Sequence, residues 1–231
     1  MNDSRGWIPM TSAPPLRPEP GASVAANRSE NFFLYVEGPL DAEILRSWAR
    51  CMSPRLARDL EQRLVILGGR RPARAVEHIR AENGAGRRGR GLVVLDRDHH
   101  VESSPPTLSE SSLEVFTWGR RHIESYVLVP SAIARILGPQ VDAARFSRLM
   151  ANHLPFLEDE EACRQVDAKR LLGRNGPLAR ESGIVISPAV IARTMRAEEF
   201  HEDVRDLYHR IEAALGRVTP ALEVVRRGRR N

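Results

Sequence analysis

Lysine and cysteine are almost absent from this chain of 231 residues. The two cysteines, Cys51 and Cys163, have no second cysteine or histidine two to four positions away, so a structural zinc knuckle and a disulfide framework are both excluded. No apolar run approaches the roughly 18 residues of a membrane span. The opening MNDSRGWIPM lacks the apolar stretch of a secretory signal, and a cytoplasmic location without a membrane partner is expected. The sole lysine, Lys169, follows Ala168, so the phosphate-cradling pattern G-x-x-x-x-G-K-[ST] cannot be assembled. ATP hydrolysis within the chain is therefore not expected.

A hydrophobic content of 42% suffices to build the core of one compact domain, or of one domain with a small appendage. The net charge of +5 is a weak pointer to a polyanion, because 30 acids are interspersed with 35 bases. Arginine supplies every base except Lys169, and arginine cannot replace lysine as a compact point charge whose pKa moves with burial.

The proline-rich stretch APPLRPEPGAS predicts a flexible leader over 1–30. Order begins at NFFLYVEG, whose short continuous apolar run predicts a strand buried on both faces. Ile44, Leu45 and Trp48 follow at helical spacing. The unit repeats as LVILGG and RPARAVEHIRAEN, then come the strands GLVVLDRD and LEVFTW, and helices fill most of the remainder. This alternation predicts an α/β fold with a parallel sheet flanked by helices and a helical C-terminal part. The closing VVRRGRRN predicts a solvated basic tail over 218–231.

Ligands of open parallel sheets bind beyond the carboxyl ends of the strands. Acids stand there: Glu37 after the first strand, Asp96 and Asp98 after the third, and Asp41 one helical turn beyond Glu37. Asp96 and Asp98, two apart in extended chain, are expected to point to one side. Carboxylates converging on one rim repel one another unless a cation lies between them, and oxygen donors select magnesium, manganese or calcium. Taken singly the same acids have ordinary roles, Asp41 as a helix cap and Asp96 and Asp98 as acceptors for loop amides. Loop histidines His99 and His100 follow directly, either as manganese ligands or as solvated side chains.

FLYVEGPLDAEIL, ILGG, GLVVLDRD and RRHIESYVLVPSAI, in this order, resemble the Toprim domain of OLD-type (overcoming lysogenization defect) nucleases, from about Phe32 to Leu137. The resemblance implies a Toprim-like, Rossmann-like catalytic domain over 31–140, continued by helices over 141–217. It implies a two-metal DNA endonuclease using Mg2+ or Mn2+, with Glu37, Asp41, Asp96 and Asp98 as metal ligands, Glu124 contributing to a second site and Lys169 neutralising the scissile phosphate. In the family's pattern Asn often stands where this chain has Ser125. Arg70, Arg71, Arg87, Arg88 and Arg90 lie on loops expected to flank the rim and hold a nucleic-acid backbone. A salt bridge from Glu124 to Arg120 or Arg121 and an exposed helix position for Lys169 are the structural alternatives. OLD-type nucleases usually carry an ATPase domain ahead of Toprim, so a separately encoded ATPase partner and a role in anti-phage defence are expectations, with a homodimer as a further one. An RNA-maturing nuclease and a non-catalytic binding module remain alternatives.

Overall fold

The computed structural model describes residues 31–98, 108–138 and 141–217. The leader 1–30, the basic tail 218–231, and His99 and His100 lie outside the described residues.

β1 (Asn31–Val36) leads into α1 (Pro39–Met52) and α2 (Pro54–Arg63), then β2 (Leu64–Ile66), α3 (Pro72–Gly84), β3 (Gly89–Leu95) and β4 (Leu113–Thr117). A 3-10 turn (Ile123–Val127) follows. Beyond it stand α4 (Pro130–Leu137), α5 (Ala143–His153), α6 (Glu160–Gln165), α7 (Ala168–Leu172), α8 (Pro177–Ser182), α9 (Pro188–Thr194) and α10 (Glu202–Ala214). The expected α/β class and parallel sheet are borne out: the four strands are all parallel in the order β2-β1-β3-β4. The periodicity reading does not anticipate α2. Pro54 at its first position and the Ser53 hydroxyl, which accepts the Leu56 N–H at 3.4 Å, start that helix.

Alternate strand residues feed two cores, as the pleat requires. Phe32, Leu34 and Val36 of β1 and Leu92 and Val94 of β3 pack with α1 and α2. Tyr35, Val93 and Leu95 face the other way, against Ala75, Val76 and Ile79 of α3. The larger core runs on without a break into the helical part: Trp48 of α1 donates its indole N–H to Met195 Sδ at 3.3 Å, and the Tyr208 hydroxyl of α10 donates to the Leu45 carbonyl. Among the described residues no helix is long and apolar enough to cross a membrane.

The strand order places the functional end of the sheet. After β1 the chain moves outward to β2 and then returns to the opposite side of β1 for β3, so the crossovers diverge between β1 and β3. Their carboxyl ends flank a crevice of the kind in which open α/β sheets bind ligands.

Candidate functional site

Glu37 and Asp96 occupy that crevice because they are the first residues beyond β1 and β3. Backbone hydrogen bonds from Leu67 N–H to Val36 O and from Gly69 N–H to Glu37 O, both 2.8 Å, carry the β1–β2 pairing past the strand ends. The chain can make this turn because Gly68 and Gly69 adopt φ of 73° and 108°, where side chains are strained. Glu37 Oε1 accepts the Asp96 N–H at 2.9 Å and so ties the two strand ends together.

Asp96 is buried, and each carboxylate oxygen has a donor: Ile123 N–H on Oδ1 at 2.9 Å and Lys169 Nζ on Oδ2 at 2.7 Å. Lys169 Nζ also stands 4.0 Å from Glu124 Oε2. Asp41 is the third residue of α1 and accepts the Gly38 N–H on Oδ2 at 2.8 Å. It therefore does cap its helix, and the same fold brings its charge within electrostatic reach of Asp96 and Lys169.

Asp98 corrects one expectation. The chain is not extended there: β3 ends at Leu95 and Asp98 has φ of 51°, so strand alternation does not set the direction of its side chain. A left-handed turn presents it instead to Arg70 (Oδ2, 3.8 Å) and His122 (Oδ1, 3.6 Å), with its N–H on the Arg121 carbonyl at 2.9 Å. Arg70, just beyond β2, also lies 3.7 Å from Glu37 Oε1 and donates to the Asp96 carbonyl. Two resident cations thus offset part of the charge of the rim, Arg70 between Glu37 and Asp98, and Lys169 between Asp96 and Glu124.

Burial is the largest influence on the titration of Asp41, Glu124 and Glu37. It raises Asp41 to about 6, with repulsion from Asp96 adding to it and the Gly38 N–H and Lys169 opposing it. It raises Glu124 to about 7 against the pull of Lys169. Glu37 is raised by burial and by Asp96 and Asp98, while the Asp96 N–H and Arg70 hold it down. Burial opposes the charge of Lys169, but the hydrogen bond to Asp96 and the surrounding acids outweigh it and raise the ammonium pKa. His122 is lowered by burial first and by Lys169 second.

The structural alternative for Glu124 is not realised, whereas Lys169 does stand at an exposed helix position, its side chain 47% exposed, and from there its ammonium reaches Asp96. Arg120 pairs with Glu160 at 2.7 Å and Arg121 with Asp167 at 3.6 Å. Glu124 is buried, its Oε2 without a hydrogen-bond donor among the described residues. Lys169 is brought over Asp96 by α7, whose N-cap Asp167 accepts the Arg170 N–H at 3.0 Å and is gripped by Arg121. The Ser125 hydroxyl, where the family's pattern often has Asn, is likewise buried without a partner among the described residues.

The arginines divide. Arg70 is at the rim, and Arg71 is exposed beside it at the N-cap of α3. Arg87, Arg88 and Arg90 do not flank the rim, because they precede or open β3, about 20 Å from Asp96 at the rise of a strand. There Arg87 pairs with Glu82 at 2.8 Å, the Arg88 carbonyl accepts the Asn31 N–H at 2.8 Å, and Arg90 donates to the Ala214 carbonyl.

Comparison with protein-family models, with curated proteins and with solved structures finds no match. The Toprim and OLD resemblance accordingly rests on the residues themselves. Among the described residues, no three His, Cys, Asp or Glu side chains are gathered into a ready-made metal cage. The donor set is nonetheless one that fits hard cations: several carboxylates at two strand ends, one buried carboxylate oxygen without a donor, and Arg70 and Lys169 already standing as cations between acid pairs. Sequence reasoning missed His122 and the counter-ion role of Arg70. The only signal for His122 was its position directly before the Ile-Glu of HIESYVL.

Proposed function

We propose that this protein is a divalent-metal-dependent endonuclease of the Toprim and OLD type, acting on DNA in preference to RNA. The observation that carries the reading is the convergence of Glu37, Asp41, Asp96, Asp98 and Glu124 at the β1/β3 crevice, where burial raises Asp41 to about 6 and Glu124 to about 7. Acids gathered at such cost to their ionisation are the mark of a site that receives positive charge.

Glu37, Asp41, Asp96 and Asp98 would hold Mg2+ or Mn2+, with Glu124 serving a second ion. Bound there, such ions supply a water of lowered pKa and stabilise the departing oxygen of an in-line displacement. With an ion held there, Lys169 would be free to pair its ammonium with the scissile phosphate in place of Asp96. Arg70 exchanges Glu37 and Asp98 for a backbone phosphate, and Arg71 offers a second guanidinium beside it. Control by a separately encoded ATPase, an effector role in anti-phage defence and a homodimeric assembly belong to this proposal through the family resemblance.

A non-catalytic module is the second reading, favoured by the same two cations, which already offset part of the acids' charge without any ion. Purified protein incubated with supercoiled plasmid or a folded RNA, with Mg2+, Mn2+ or chelator, separates the readings. We expect nicked plasmid with either metal, none with chelator, and slower cutting of RNA. Cleavage of the folded RNA alone would establish the RNA-maturing alternative, and cleavage that survives chelation would exclude a metal mechanism.

A further inference from the structure

His122 sits immediately before the 3-10 turn that carries Glu124, and its side chain is only 7% exposed. Nδ1 has no hydrogen-bond partner among the described residues, although buried polar atoms are as a rule satisfied. Nε2 faces Asp98 Oδ1 at 3.6 Å. That separation is too long for a hydrogen bond. It is wider than the roughly 3.0 Å between neighbouring donors on an octahedral ion with bonds near 2.1 Å, so the two groups would close by about 0.6 Å around one. Asp98 itself is held in the left-handed region, φ 51°, a conformation that non-glycine residues adopt mainly in turns and functional sites. On its other oxygen a guanidinium, that of Arg70, already stands at 3.8 Å. The pair therefore offers one nitrogen and one oxygen donor with no hydrogen bond closed between them, and an ion bound there would take over from Arg70 as the counter-charge of Asp98.

We infer that His122 Nε2 and Asp98 Oδ1 together bind one ion of the rim, and that the nitrogen donor tunes this position to a first-row transition dication over Mg2+ or Ca2+. The inference rests on the metal-holding reading above. Oxygen donors alone suit magnesium and calcium, whereas an imidazole strengthens binding of transition ions and adds little for the hard ones. Asp96 and Glu124, on the Lys169 side, offer oxygen only, so the two halves of the rim are chemically unequal.

The test uses the full chain, stripped of metal and loaded with Mn2+ as a paramagnetic probe. Pulsed electron paramagnetic resonance reads directly bound nitrogen, and titration with Mn2+ and Mg2+ reads affinity. Wild type is expected to show a 14N coupling that His122→Gln abolishes. The same variant should weaken one class of Mn2+ sites tenfold or more, while Mg2+ affinity stays within about twofold. Circular dichroism confirms folding of the variant, and His122→Asn replaces it if the glutamine does not fold. Mn2+ binding that is lost in Asp96→Asn but shows no 14N coupling, or a coupling that persists in the His122 variant, overturns the inference and leaves the metal reading standing. Absence of any Mn2+ binding by wild type overturns both.

Discussion

A carboxyl buried beside other acids gives up its proton late, and Glu124 and Asp41 do so at about 7 and about 6. Because both values lie above those of the unfolded chain, the folded state binds more protons between about pH 4 and 7. Stability from these groups is full below about pH 4 and is lost as pH rises through their folded values. At 1.36 kcal/mol per unit, Glu124 alone costs the metal-free protein about 3 kcal/mol at pH 8. His122, lowered by burial, runs the other way: its contribution is present above about pH 6.5 and lost as pH falls. The informative quantity is thus the difference between wild type and Glu124→Gln. In chelator the variant should match wild type near pH 4 and exceed it by about 2 to 3 kcal/mol at pH 8, measured by urea unfolding. A difference independent of pH would show that Glu124 is not the group titrating there. Divalent metal should narrow the gap at pH 8, because it stabilises only the carboxylate.

At the scale of the elements, packing leaves little room in β3. A Cβ on Gly91 would lie 2.5 Å from Tyr35 Cε2, 3.0 Å from Leu113 Cδ2 and 3.1 Å from the Phe33 carbonyl. Gly91→Ala is expected to cost about 1 to 3 kcal/mol through overpacking. Since β3 carries Asp96, the variant should also lower metal affinity at temperatures where it is still folded, as read by calorimetry. What was legible at this scale follows from local pattern. The runs FFLYV and GLVVL announced β1 and β3 because strands buried on both faces need no alternation. The acids at their ends were readable for the same reason. Asp98 was misread because a single left-handed residue leaves no trace in composition. Arg87, Arg88 and Arg90 were misplaced because proximity to β3 in sequence does not say which end of the strand a residue serves. The meeting of Lys169 with Asp96, separated by 73 residues, could come only from the resemblance, since it depends on how α7 packs over the 3-10 turn.

At the scale of the whole molecule, one core joins the sheet to the C-terminal helices, and that continuity is what holds Lys169 and Glu124 over the strand ends. Tyr126, two residues after Glu124, receives the Arg120 N–H at 2.8 Å and donates to Asp203 of α10, while Arg120 grips Glu160 of α6. The helical part is therefore a wall of the site as well as a continuation of the domain. The central claim is that the acids of this rim hold metal for phosphodiester cleavage. Its most direct test is nicking of supercoiled plasmid by wild type, Glu37→Ala and Asp96→Ala in Mg2+ and in Mn2+, with folding of each variant verified. The account predicts nicking by wild type and a loss of roughly a thousandfold or more in each variant, equivalent to about 4 kcal/mol of transition-state stabilisation. Equal nicking by wild type and both folded variants would contradict it.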